Sequence, residues 1–336
     1  MRIGTFDTAE RVLVIAEAGN NHEGDADRAR ALVRGAAGCG AHAVKFQTFK
    51  AAAFCRPSDA ERFAQLSRFE LSPAVFAELA ALARAAGLLF ISTPLDMESV
   101  GVLEPLVDAY KVASGDNNFY PLLDRIASTQ KPVLVSTGIS DLRQVQATVQ
   151  RIRDAWRPSD ASPGLAVLHC VSSYPAPVDD VNLAAIGVLQ RETGLTAGYS
   201  DHTLGIDACV AAVAAGARIV EKHFTLDKET SSFRDHKLSA DPAEMTRLVR
   251  EVGRMSALVG RPEKVVRNSE RAGVTQYRRS IVAAADLPAG HTLSEADLTW
   301  LRPGGGLPPG DESRLVGRVL ARPIARGDQI LASDVR

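Results

Sequence analysis

Runs rich in Val, Ile, Leu and Phe recur along the first two thirds of the chain, at residues 12–18, 43–47, 88–92, 109–113, 132–136, 165–171, 196–200 and 218–224. Most of the intervals between them return apolar residues at 3.6-residue spacing, as at 25–37, 73–86, 142–156, 183–192 and 206–215, which predicts helices. Continuous apolar strands alternating with helices predict a parallel sheet covered on its outer face. Eight such units point to a closed (β/α)8 TIM barrel, with an open doubly wound sheet as the alternative.

The polar residues discriminate between these two. Nearly every run ends in a polar cluster: Glu17 then Asn20-Asn21-His22; Lys45 and Gln47; Ser92 and Thr93; Lys111, Ser114 and Asp116; Ser136-Thr137-Gly138; Ser172-Ser173-Tyr174; Ser200 and His202; Glu221 and His223. A barrel brings all eight C-terminal strand ends to one mouth. An open sheet uses only the few ends beside its switch point, so chemistry at all eight favours the barrel, assigned to residues 1–263.

The pattern then changes. Residues 264–279 are basic and read as a helix-poor linker, and residues 280–336 form a second, β-rich domain. A short repeat is visible there: Leu287, Gly290, Leu293, Asp297 and Leu298 recur as Ile324, Gly327, Ile330, Asp334 and Val335, each 37 residues on. Each copy reads as a strand, a glycine turn and a single helical turn capped by Ser294 or Ser333.

Charge narrows the function classes. Lys and Arg number 39 against 40 for Asp and Glu, which gives no general attraction to nucleic acid or to a membrane surface. An anionic substrate must therefore meet a local cluster. No stretch is long and apolar enough for a bilayer span. The four cysteines show no metal or redox spacing, and with the short N-terminal apolar run at 12–16 they fit a reducing, cytoplasmic setting.

At the strand ends, Lys45, Lys111 and Lys222 with the Ser136-Thr137-Gly138 turn would make an anion pocket, because backbone N–H groups at a helix start favour phosphate. Lys45 and Lys111 lie inside apolar runs, where an unpaired ammonium is costly. For Lys222, whose parity opposes its neighbours, a solvated strand exit is an equal reading. Glu17 is the natural general base or hydroxyl holder, and Asp116 is a second carboxylate near the mouth. His202 and His223 end two runs joined by one crossover helix. If the strands are adjacent and parallel, Ser200 shares a face with His202 and Glu221 with His223, and the two imidazoles can hold one divalent ion, Mn²⁺ or Mg²⁺ with Zn²⁺ also compatible.

The segments Ala16-Glu17-Ala18-Gly19-Asn20-Asn21-His22-Glu23-Gly24, Val44-Lys45-Phe46-Gln47-Thr48, Phe90-Ile91-Ser92-Thr93-Pro94, Tyr110-Lys111-Val112-Ala113-Ser114-Gly115, Ser136-Thr137-Gly138, Tyr174-Pro175-Ala176-Pro177, Ser200-Asp201-His202-Thr203 and Glu221-Lys222-His223-Phe224 together resemble the sialic acid synthase family. The resemblance runs through nearly the whole chain, and the terminal repeat resembles the antifreeze-like domain fused to those barrels. It implies a metal-assisted transferase that condenses phosphoenolpyruvate with an N-acylated hexosamine, such as N-acetylmannosamine, to a nine-carbon acidic sugar and phosphate. By the same resemblance His202 and His223 bind the metal, and Lys45, Gln47, Lys111, Ser114, Ser136 and Ser200 surround phosphoenolpyruvate. Glu17, Tyr174 and Asp235 face the acceptor, and Arg302 reaches into the partner's barrel of a domain-swapped homodimer.

Three positions depart from members that make N-acetylneuraminate: Asp116 stands for Glu, Ser172 for Asn, and Ser231-Ser232-Phe233-Arg234-Asp235-His236 for a Pro-Gly-x-Asp loop. All three lie near the acceptor in the family, so a pseudaminate- or legionaminate-type acceptor, a 6-deoxy diacetamido hexose, is the alternative. Outside that reaction, the rivals are a Schiff-base aldolase on Lys45 or Lys111 and a non-catalytic sugar-binding protein.

Overall fold

The computed structural model describes residues 1–156 and 163–336, which divide into two compact units, Met1–Gly260 and Arg261–Arg336. In the first, eight strands form a closed parallel barrel: β1 (Leu13–Gly19), β2 (Ala43–Thr48), β3 (Leu89–Pro94), β4 (Ala109–Val112), β5 (Val133–Ser136), β6 (Leu165–Cys170), β7 (Thr196–Asp201) and β8 (Ile219–His223). Each pairs with its neighbours in sequence, and β8 closes the ring between β7 and β1. The apolar runs locate every strand to within a residue or two.

Strand parity explains the layers. Outward residues such as Val44, Phe46, Val112, Val135, Val167 and Val220 join the helices in one large core. Inward residues Leu13, Ile15, Ala43, Ile91, Leu134 and Ile219 fill the lower interior, where Ile3 and Phe6 of an N-terminal hairpin pack against them. Two residues further along the same inward rows the side chains become polar. The barrel is therefore a packed core below and a polar chamber above.

Helices occupy Ala26–Gly38, Pro73–Ala85, Leu142–Trp156, Ala185–Thr193 and Asp207–Ala214, close to the predicted spans. Sequence periodicity did not expose the short helices Ala51–Phe54 and Ala60–Phe69 after β2. The latter is pressed against the loop after β1 at Gly24, where a Cβ would lie 2.0 Å from the Arg68 carbonyl oxygen and φ is +86°. Only glycine fits that approach.

The second unit takes in the stretch read as a linker, which is not helix-poor: Arg271–Gln276 is helical. Its two strands, β9 (Ser280–Ala283) and β10 (Leu298–Leu301), are antiparallel. The repeat is real in three dimensions. Leu287 and Ile324 bridge each other, Gly290 and Gly327 adopt φ of +84° and +87°, and Leu293 and Ile330 share one core. The segment opening each copy makes a single bridge rather than a strand. The second cap also differs from expectation: Leu331, not Ser333, precedes the turn, and its N–H donates to Asp334 at 2.9 Å as that of Ser294 donates to Asp297 at 2.8 Å. The aspartate closes both turns, so serine is dispensable.

Candidate active site

Two rows of inward side chains meet at β8. Cα partners His223, Glu17 and Lys45 run across β8, β1 and β2, and Glu221, Ser200 and Cys170 across β8, β7 and β6. Lys45 Nζ lies 2.8 Å from Glu17 Oε1 and 3.2 Å from Thr93 Oγ1. Glu221 Oε1 sits 3.7 Å from both Lys45 Nζ and Lys111 Nζ and accepts from Ser200 Oγ at 2.9 Å. Lys111 Nζ donates to Ser136 Oγ at 2.6 Å.

All four charged groups are buried. Burial alone would lower Lys45, but Glu17 and Glu221 outweigh it and hold the ammonium above the usual lysine range. Lys111 is lowered, by burial and by like-charged Lys45, against the pull of Glu221. Burial raises Glu17 despite Lys45, whereas the two lysines outweigh burial at Glu221 and lower it. Glu17 Oε2 and Glu221 Oε2 have no hydrogen-bond partner among the described residues. Buried polar atoms rarely stay that way, so these oxygens mark places where a ligand would bond.

Beside Lys111 is a cluster of serines. Ser114 Oγ accepts from Gly138 N at 3.0 Å, and Ser172 Oγ is buried without a partner. A Cβ on Gly138 would lie 2.3 Å from Ser172 Oγ and 2.8 Å from Ser114 Oγ. The sequence predicts free amides in the 136–138 turn, but Thr137 N is bonded to the Leu168 carbonyl and Gly138 N to Ser114. An anion entering here would meet side chains rather than these amides.

The imidazoles of His202 and His223 are 5.5 Å apart between ring centroids. His202 Nδ1 donates to the Val171 carbonyl at 2.8 Å, which leaves Nε2 as the nitrogen that could meet a ligand. Buried His223 Nδ1 has no partner, and burial, His202 and Lys45 push this imidazole well below the ordinary histidine range, so it is neutral at neutral pH. Burial lowers His202, but Cys170, the Val171 carbonyl and Glu221 outweigh it and raise this imidazole, so a divalent ion shared by the two rings would have to displace a proton from His202 rather than from His223. Among the described residues no group of three or more His, Cys, Asp or Glu forms a metal cage.

Above this chamber opens a cavity of about 1040 Å³, lined by Asn20, Gln47, Asp116, Tyr174, His223 and Asp235 together with carbon-rich Phe54, Leu66, Phe69, Leu95 and Phe233. Gln47 Oε1 accepts from Asn20 Nδ2 at 2.8 Å, and its amide reaches Glu17 at 3.3 Å. The Tyr174 ring stands 4.1 Å from that of His202, with the Arg234 guanidinium 4.8 Å from its own centroid. Burial raises the Asp235 carboxyl against the opposing charge of Arg234, and burial raises Asp116 to about 6.

Two expected residues fall elsewhere. Ser92 faces outward, bonded to Thr48 Oγ1 and the Phe46 carbonyl, and Thr93 takes the inward position beside Lys45. Lys222 is neither in the anion pocket nor solvated: it is fully buried on the outer face, 2.7 Å from Asp201 Oδ2. Arg302 is exposed in the second unit, directly after β10. Thr93, Cys170 and Asn20 were missed as site residues, although Thr93 and Cys170 each continue an inward row by two from Ile91 and Leu168.

The NeuB family matches residues 32–264, and the SAF domain matches residues 278–336. The chain belongs to the NeuB family. Among NeuB relatives it is 39% identical to the N,N'-diacetyllegionaminic acid synthase of Legionella pneumophila, over 95% of this chain and 93% of that protein. It is 32% identical to the pseudaminic acid synthase of Campylobacter jejuni, over all of both chains. The crystal structure of the N-acetylneuraminic acid (sialic acid) synthetase of Leptospira borgpetersenii in complex with citrate is 31% identical, with a TM-score of 0.75 over 82% of this chain and 94% of that one. A NeuB-family chain of this kind is a transferase of the sialic acid synthase type, which sets aside the aldolase and the non-catalytic reading. Among the described residues no helix is long and apolar enough to cross a membrane.

Proposed function

We propose that this enzyme condenses phosphoenolpyruvate with the open-chain aldehyde of an N-acylated hexosamine, giving a nine-carbon acidic sugar and phosphate. The observation that carries the reading is the buried Lys45 and Lys111 pair, with Ser136 and Ser200, in a chamber joined through Glu17 to Gln47, which lines a sugar-sized cavity. Lys45 is closely paired with Glu17 at 2.8 Å, whereas Lys111 meets a carboxylate, Glu221, only at 3.7 Å, so Lys111 is the less neutralised ammonium for an incoming phosphate or carboxylate.

In the reaction C3 of phosphoenolpyruvate forms a bond to the aldehyde carbon, water adds at the resulting C2 cation, and phosphate departs with C–O cleavage. Lys45, Lys111 and Ser136 hold the phosphate while charge builds on it. Glu17, raised by burial and with one oxygen free, is placed to take a proton from the attacking water or to hold an acceptor hydroxyl. Asp116, near pH 6, is suited to exchange a proton at the acceptor end. His202 and His223 would hold a divalent ion, Mn²⁺ before Mg²⁺, which when bound supplies a Lewis acid for the acceptor's carbonyl oxygen.

The cavity lining mixes charged groups such as Glu61, Arg62 and Arg68 with Phe54, Leu66, Phe69, Leu95 and Phe233, and this apolar part could bury the methyl groups of a 6-deoxy diacetamido hexose, which we propose as acceptor over N-acetylmannosamine. A homodimer in which Arg302 of one subunit completes the acceptor pocket of the other belongs to the same reading. A chelator should abolish turnover and Mn²⁺ restore it, while borohydride with pyruvate leaves activity intact. Borohydride inactivation with indifference to chelator would overturn the proposal in favour of a Schiff-base lysine.

A further inference from the structure

Directly before each of the two histidines stands a charged residue facing the opposite way. Asp201 and Lys222 are Cα partners on β7 and β8, both are buried, and Lys222 Nζ donates to Asp201 Oδ2 at 2.7 Å on the outer face of the barrel. That layer is apolar at most other outward positions of these strands and their neighbours, as at Ala16, Ala18, Val167, Ala197 and Val220, with Tyr199 and His169 adding polar atoms. A buried ion pair is a poor source of net stability, since apolar replacements are often neutral or better. Its placement therefore asks for another explanation.

The hydrogen bonds supply one. Asp201 Oδ1 accepts from Thr203 N at 2.9 Å and from Tyr199 OH at 2.9 Å, and Oδ2 accepts from Thr203 Oγ1 at 3.1 Å as well as from Lys222. Lys222 also donates to the Thr203 carbonyl at 2.5 Å. Both backbone polar groups of the residue after His202 are thus tied, from outside, to the residues that precede His202 and His223. A strand's alternation turns a tie on the outer face into a fixed position on the inner one.

We propose that the Asp201–Lys222 pair is a positioning clamp that sets the separation of the His202 and His223 imidazoles before an ion arrives. The clamp rests on the two-histidine metal reading and goes beyond it by assigning the residues that pre-form the site. Outer partners of metal ligands typically cost about 10- to 100-fold in affinity when removed.

The test uses full-length Asp201→Asn/Lys222→Met, wild type and His223→Ala, with Mn²⁺ binding read from the EPR signal of free Mn²⁺ and folding from thermal melts. The expected double variant melts near wild type yet binds Mn²⁺ at least about tenfold more weakly. A folded double variant with wild-type affinity overturns the clamp alone. A wild type that binds no Mn²⁺, or binds it equally after His223→Ala, overturns the metal reading and the clamp with it. If the double variant does not fold, Lys222→Met removes the tie to the Thr203 carbonyl and leaves Asp201 its bonds from Thr203 and Tyr199. Its expected affinity loss is roughly threefold, a fraction of that expected of the double variant, and unchanged affinity overturns the clamp.

Discussion

Glu17 and Lys45 are register partners on adjacent strands whose side chains meet at 2.8 Å inside the barrel, with Glu221 approaching the same ammonium at 3.7 Å. The chamber is therefore an alternating set of buried charges, Glu17, Lys45, Glu221 and Lys111, built to accept further charge from a ligand. Each member is tolerable only because of the others.

Lys45→Met should leave Glu17 and Glu221 short of a cation. The expected cost is about 3 kcal/mol of stability, measured by urea unfolding, along with a raised KM for phosphoenolpyruvate. Glu17→Gln/Lys45→Met should be more stable than Lys45→Met alone, because it no longer strands a carboxylate. Independent, additive losses would contradict the pairing.

Asp116 is raised to about 6 by burial, so its ionisation costs more in the fold than in the unfolded chain. Its contribution to stability is fully present below pH 3.8 and is lost as pH rises through about 6. Asp116→Asn should therefore raise Tm at pH 8 and leave it nearly unchanged at pH 3.5. If Asp116 exchanges a proton during turnover, the kcat/KM profile for the acceptor should also lose an inflection near pH 6. Matching wild-type and variant profiles would remove that role.

Gly138→Ala places a methyl group among Ser114 and Ser172. Serine hydroxyls can rotate away, so the fold should survive with a stability change under about 1 kcal/mol. The KM for phosphoenolpyruvate should rise about tenfold, roughly the value of one hydrogen bond to a charged group, with the acceptor KM little changed. An unaltered phosphoenolpyruvate KM would place the anion elsewhere.

The proposed exchange of Arg302 between subunits has a complementation test. His223→Ala and Arg302→Ala, each inactive or nearly so, should regain activity when their subunits are mixed and re-associated, because each hybrid then holds one intact barrel served by one intact Arg302. No recovery in verified hybrids would place Arg302 in its own subunit's chemistry or outside it.

The barrel and much of its chamber were legible because a strand's period of two carries Leu13-Ile15-Glu17 and Ala43-Lys45-Gln47 inward together, apolar first and polar last. Parity, not proximity to a strand end, decides which polar residue enters the chamber. Thr93, not Ser92, continues the inward row of Ile91, and Lys222 alternates with inward Glu221 and His223 and so faces outward, away from Lys45 and Lys111. The carbon wall of the cavity was not legible. It comes from loops and short helices after β2, β3 and β8, and local periodicity says nothing about how Phe54, Phe69, Leu95 and Phe233 converge.

The most direct measurement is phosphate release from phosphoenolpyruvate with Mn²⁺ against a panel of N-acylated hexoses, each product weighed by mass spectrometry. The expected result is release only when an acceptor is present, one phosphate per nine-carbon product, fastest with a 6-deoxy diacetamido hexose and lost in His223→Ala. Release without acceptor, or none with any N-acylated hexose, would contradict the condensation itself.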